Sequence, residues 1–248
     1  MQDVVAGGAG PLVGALALAA VYALGPWLRP LGAEHPRRQV SVAAGASLAY
    51  VFLDVLPELG ARHRELLESA AGSLIFAEQR LYLLALVGFV ALYGLDHLVL
   101  AARASGETSA GGDAARLALW LHVGGFALYS FVIGYMLVSR QADGWSSLGL
   151  FLVAMALHLT VVDHALAREH GSAYDTLGRW VLAASVVVGW LAGATLQIPE
   201  IAVSRLFAFV AGGVVMTAAN EELPREKMGR FGWFVLGAVV YGAVLLAA

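Results

Sequence analysis

The stretch ALHLTVVDHALAREHG, Ala156 to Gly171, begins as an apolar run of the kind that fills a membrane-crossing helix, then carries His158, Asp163 and His164 inside that run. Each ionisable side chain costs at least ~2.5 kcal/mol at a bilayer centre, so its default explanation there is a pathway or a site. The fold depends on whether the rest of the chain supplies a bilayer around these groups.

Composition says that it does. Of 248 residues, 60% are hydrophobic and only 13% charged, and the mean hydropathy is +0.76, more apolar than a soluble core of this size needs. Eighteen acidic against fifteen basic residues give a net charge of -3, and without a basic cluster no nucleic-acid partner is expected. Cysteine is absent, which removes disulfides and thiolate ligands, so any transition metal must rely on His, Asp or Glu. The segment MQDVVAGGAG carries an acid and no Lys or Arg, so the first apolar run reads as a retained helix rather than a cleaved signal peptide.

A helix needs about 20 mostly apolar residues to cross the hydrocarbon core. Eight runs of that kind are expected, at about residues 10–29, 39–59, 81–102, 116–138, 147–169, 176–196, 200–222 and 231–247. They are too long, and alternate too little, for barrel strands. The expected fold is an all-α integral membrane protein with eight spans in a single transmembrane domain.

The connections after spans 1, 3, 5 and 7 hold ten basic residues: Arg29, Arg37, Arg38, Arg103, Arg116, Arg168, Arg179, Arg225, Lys227 and Arg230. The other side holds five, Arg62, Arg64, Arg80, Arg140 and Arg205. The bias puts the first set in the cytoplasm and both termini outside, in a bacterial inner membrane. The connection from Ala61 to Arg80, with RHRELLES, is expected to form a short polar surface helix. Glycine pairs such as Gly10 and Gly14, or Gly189 and Gly193, read as close helix packing. Acid-x-Leu-Pro recurs, as Asp54 to Pro57 closing span 2 and as Glu221 or Glu222 to Pro224 closing span 7. Because those spans run in opposite directions, the echo suggests inverted halves, spans 1–3 and 6–8, flanking spans 4 and 5.

Helical rise puts His122 about 10 Å up span 4 and His158 about 14 Å from the same boundary on span 5, so the two imidazoles share a level. Asp163 and His164 lie deeper toward the cytoplasm, with Asp96 and His97 of span 3 also in the inner half. At 100° per residue one helix cannot chelate with His158, Asp163 and His164 together. Ligation therefore needs neighbours: His158 with His122, and Asp163 or His164 with Asp96 or His97, a donor set suited to a divalent transition metal. The plainer alternatives are hydrogen-bonded core histidines and a structural pairing of Asp163 with His164. Asp54 and Glu58, on one face with Tyr50, read as an outer vestibule gathering cations or as a solvated helix end. Glu221 and Glu222 fall where the cytoplasm begins and read first as exposed.

These residues resemble the ZIP family of zinc and iron transporters. The likeness lies in YVFLDVLPELG, GLDHLVL, HVGGFALYSFVIGYML, His158 and AGGVVMTAANEELP, and it runs the length of the chain. It implies a 3+2+3 arrangement of inverted three-helix halves around spans 4 and 5. The departures are specific. Where the family carries HNxxD, this chain has His122 with Val123 and Phe126; where it carries HExPHE or HExPE, His158 is followed by Leu159, Val161 and Val162. The metal set reduces to His122 and His158, with Asp163 and His164 as replacements, and span 5, lacking its proline, is expected to be straighter.

The leading expectation is a ZIP-like carrier of zinc, iron or manganese with a reduced central site, rather than an enzyme. A scaffold that has lost transport and serves as a sensor is second, and an intramembrane metal-dependent hydrolase third. Expected partners are the lipid bilayer, a divalent metal ion as substrate and a second copy in a homodimer; no organic cofactor is expected.

Overall fold

The structure is a computed structural model that describes residues 9–31, 36–57, 60–61, 77–104, 113–196, 199–222 and 231–247. Every regular element among them is helical: α1 (Ala9–Leu31), α2 (Pro36–Tyr50), α3 (Ala77–Ala104), α4 (Asp113–Ala142), α5 (Trp145–His170), α6 (Arg179–Thr195), α7 (Glu200–Glu222) and α8 (Phe231–Ala247). A wider π turn, Val51–Val55, prolongs α2, and another, Tyr174–Gly178, leads into α6. The surface helix expected around RHRELLES, and Glu58, lie outside the described residues.

Six helices contain stretches long and apolar enough to cross a membrane: Ala9–Trp27, Tyr82–Leu100, Arg116–Ala142, Trp145–His170, Tyr174–Thr195 and Ile201–Asn220. Their outward faces carry large apolar side chains, among them Leu86, Val90, Leu128, Val153 and Val188, all exposed. A contiguous surface of that kind is stable against lipid and unfavourable against water. α8 is apolar but only 17 residues long. α2 is the least apolar for a different reason: it is lined by other helices instead of lipid. Ser41, Ala43, Ala44, Ala46 and Ser47 are all buried, and the Ser47 hydroxyl donates to the Ala43 carbonyl one turn back, 2.8 Å away, so its polarity is satisfied within the helix.

Glycine sets which helices pair. α4 packs most extensively on α6, α2 on α8, and α3 on α7. In each pair both partners contribute a glycine whose missing Cβ would otherwise run into the facing backbone carbonyl: Gly134 against Val186 with Gly189 against Phe131, Gly45 against Phe234 with Gly237 against Val42, and Gly88 against Phe209 with Gly212 against Ala85. Backbones this close gain dispersion contacts along their whole crossing, the main source of helix association in lipid. Gly193, against Tyr135, extends the α4–α6 crossing, while Gly10 and Gly14 admit side chains of Trp145 and Leu152, so the glycine pairs noted in the sequence do mark close packing.

The centre is built from α1, α4, α5 and α7. Leu18, Tyr22, Tyr129, Ile133, Met136, Phe151, Met155, Leu159 and Val162 form one buried cluster. Tyrosine hydroxyls tie it to neighbouring helices: Tyr129 donates to the Val210 carbonyl at 2.8 Å, Tyr241 to Leu150 at 2.6 Å, and Tyr22 pairs with Ser130 at 3.0 Å. α5 runs unbroken from Trp145 to His170, as expected of a span without the proline.

Candidate metal centre

The end of α5 builds the site. Gly171 takes a φ of 56°, a left-handed conformation that glycine adopts without penalty, and its N–H closes onto the Ala167 carbonyl at 2.9 Å. The helix therefore stops just after Glu169 and His170 and holds both side chains in its last turn. His122, on the third turn of α4 and only 1% exposed, faces that turn. Its Nδ1 lies 2.9 Å from Nε2 of His170 and 3.4 Å from Oε2 of Glu169. These three residues form the one group of potential metal ligands found among the described residues. The ring's other nitrogen, Nε2, is 3.1 Å from Oδ1 of Asp96 on α3, and Asn220 of α7 donates to the second oxygen of that carboxylate at 2.6 Å.

The two ring nitrogens can share a hydrogen bond, and with one N–H removed all three groups present lone pairs to the same space. His122 Nδ1 thus faces a second ring nitrogen and a carboxylate oxygen, a mixed set of donor atoms that a divalent cation could bridge. Two nitrogens bound tetrahedrally at 2.0–2.1 Å stand about 3.3 Å apart, so the 2.9 Å gap would have to open by a few tenths of an ångström for a metal ion to enter. The carbonyl end of α5 adds negative potential. Two imidazoles and one carboxylate leave a fourth position open, the coordination of exchangeable rather than structural sites.

His122 and Glu169 also line a cavity of about 480 Å³, together with Asp96, His97, Thr217 and Asn220. His97 and Asn220 are exposed at its rim, while buried Phe126, Leu166 and Met216 close its inner side. The Thr217 hydroxyl, 5% exposed, has no hydrogen-bond partner, so a polar group points where an incoming hydrated ion needs one.

This cluster differs from the ligand set expected from sequence. His122 belongs to it, but His158 does not: twelve residues separate His158 from His170 on one straight helix, about 18 Å along the axis. His158 is fully buried beside Tyr129, with ring centroids 5.5 Å apart and its Nε2 without a hydrogen-bond partner. The equal-depth reading assumed that α4 begins where α5 ends; instead α4 starts nine residues before His122, and its first turns project past the end of α5. Asp163 lies apart from this cluster. It accepts a 2.8 Å hydrogen bond from the Tyr174 hydroxyl, lies 3.9 Å from Arg179 and abuts Gly25 of α1. His164 is half-buried and lines no part of the cavity. Asp96 faces His122, not Asp163 or His164, and His97 stacks on Tyr93 at 6.4 Å.

At the far end of α4, about 27 Å from His122 by helical rise, Asp54 meets Arg140 at 3.5 Å. Arg140 is 4% exposed, lies over the Phe207 ring at 4.1 Å, and donates to Ser147 at 3.3 Å. Asp54 is therefore neutralised by a fixed cation rather than left to gather mobile ones. Glu221 and Glu222 end α7, and their side chains lie outside the described residues. Sequence reasoning missed Glu169 and His170 because they fall at and just past the end of the apolar window; the signal that reaches them is the glycine stop in REHG, which keeps them on the helix.

Compared with models of protein families, with curated proteins and with solved structures, the chain matches none.

Proposed function

We propose that this chain is a ZIP-like membrane carrier of a divalent transition-metal cation, and that His122, Glu169 and His170 receive the ion at one mouth of the pathway. The convergence of their three donor atoms, two of them from residues that line the cavity, carries this reading. Zinc, iron and manganese all suit mixed imidazole and carboxylate donors, and an incomplete shell lets an ion leave as well as bind.

The architecture adds support if all eight helices span. Exchanging α1–α3 with α6–α8, and α4 with α5, turns the α3–α7 pairing into the α8–α2 pairing, and Gly88 and Gly212 into the counterparts of Gly237 and Gly45. That is the pattern of inverted halves, which carriers rock around a central pair. In the orientation favoured by the basic loops, the cavity faces the cytoplasm and Asp54 with Arg140 closes the outer end, a carrier open inward.

Proteoliposomes carrying the protein test the proposal by uptake of zinc, iron or manganese. Flux that His122→Ala abolishes supports it; equal flux in protein-containing and empty vesicles overturns it. A second reading, a metal sensor without transport, is favoured by the dry packing around Tyr129, Met155 and His158, each 1% exposed, beyond the cavity. It predicts saturable metal binding with no flux.

A further inference from the structure

We infer that Asp96 is a positioning residue for the metal ion: it fixes the tautomer of His122 so that Nδ1, and not Nε2, is the ligand atom. The inference rests on the metal reading above and concerns a residue that does not join the three converging donors.

A neutral imidazole carries one proton on one of two nitrogens, and only the bare nitrogen can bind a metal. His122 has Asp96 Oδ1 at 3.1 Å from Nε2, with His170 and Glu169 on the Nδ1 side. A carboxylate only accepts, so Nε2 carries the proton and donates it to Asp96, leaving the Nδ1 lone pair turned toward His170 and Glu169. The bond also stops the ring from turning. Asp96 is itself held: the Asn220 amide donates to its Oδ2 at 2.6 Å. Asp96 sits on α3 and Asn220 on α7, the two helices that Gly88 and Gly212 bring into backbone contact. The buttress thus belongs to one rigid pair of helices and the ligands to α4 and α5, so the ion site is complete only while these two units are docked.

The test uses the full chain in nanodiscs with nitrogen-15-labelled histidine, the His122 signals being assigned by their loss in His122→Gln. The metal-free protein is expected to show His122 protonated at Nε2, and cadmium-113 to couple to Nδ1. Asp96→Ala is expected to mix the two tautomers and weaken zinc binding about 10- to 100-fold. Asp96→Asn, which keeps the shape and an acceptor oxygen without the charge, is expected to fall between that variant and wild type, and Asn220→Ala to lose less than Asp96→Ala. Because Asp96→Asn preserves packing, a reduced affinity with an unchanged unfolding temperature separates positioning from simple misfolding. If zinc binding depends on His122 yet both Asp96 variants keep wild-type affinity and tautomer, or if cadmium couples to Nε2, this inference falls and the metal reading stands. A wild type that takes up no zinc overturns both.

Discussion

Nδ1 of His122 stands 2.9 Å from Nε2 of His170, across 48 residues of chain and at the meeting of two helices. If the three hold the proposed ion, removing either ring, or the Glu169 carboxylate beside them, deletes a direct ligand. His122→Ala, His170→Ala and Glu169→Gln should each weaken cobalt or zinc binding by more than the ~10- to 100-fold typical of losing an outer-shell partner. Absorption of the cobalt-loaded protein in the visible range reports the change. His158→Ala should leave the affinity within about twofold, since additivity holds for sites this far apart; a large loss there would restore the site to the middle of the bundle.

The reciprocal glycines make a separate prediction about stability. At Gly88 and Gly212 an added methyl meets the carbonyl oxygens of Phe209 and Ala85, which cannot move without parting the helices. Gly88→Ala or Gly212→Ala should destabilise by about 1–3 kcal/mol or more, the cost of overpacking a tight contact. Gly124 and Gly149 lie on helices with nothing within 4 Å of an added Cβ, so their alanine variants should be neutral or gain up to about 1 kcal/mol of helix propensity. Reversible unfolding in mixed micelles compares the four.

What the sequence made legible, and what it did not, divides along one physical line. Length and apolarity within a span are local properties, and each apolar run coincides with a helix. Glycine spacing at Gly189 and Gly193 is likewise local and marks a crossing. The register of α4 against α5 is not local: it depends on where each helix stops relative to the other, and no spacing within either segment encodes it. The sequence therefore puts His122 on its helix but does not show that the end of α5, and not His158, faces it. Arg140 and Arg179 read as loop cations, yet both are buried: Arg140 meets Asp54 of the turn that prolongs α2, a partner no local spacing reveals, and Arg179 meets Asp163 on α5 as well as the nearby Asp175.

Asp163 provides a test of the buried pairing. Its carboxylate, 3% exposed, accepts from Tyr174 at 2.8 Å and faces Arg179, which is 1% exposed and also bound to Asp175. Breaking a buried pair costs about 3–5 kcal/mol because one charge is left behind. Since Asp175 continues to hold Arg179, Asp163→Ala should lie near the lower end of that range. Tyr174→Phe, which removes one hydrogen bond, should cost about 1 kcal/mol. Zinc affinity should be unchanged in Asp163→Asn; a marked drop would return Asp163 to the ligand set.

Orientation is the last testable consequence, and the absence of cysteine from the sequence makes the experiment direct. If eight helices span with both termini outside, the turn between α4 and α5 is external and the one between α5 and α6 is cytoplasmic. Discounting the buried Arg179 and Arg140 removes one cation from each side and leaves the basic bias pointing the same way. Ser146 and Thr176 are exposed in or beside those two turns. A membrane-impermeant maleimide applied to intact cells should label Ser146→Cys at once and Thr176→Cys only after permeabilisation. The reverse pattern would turn the cavity at His122 to the outside, making it the mouth that receives the ion before transport rather than the one that releases it.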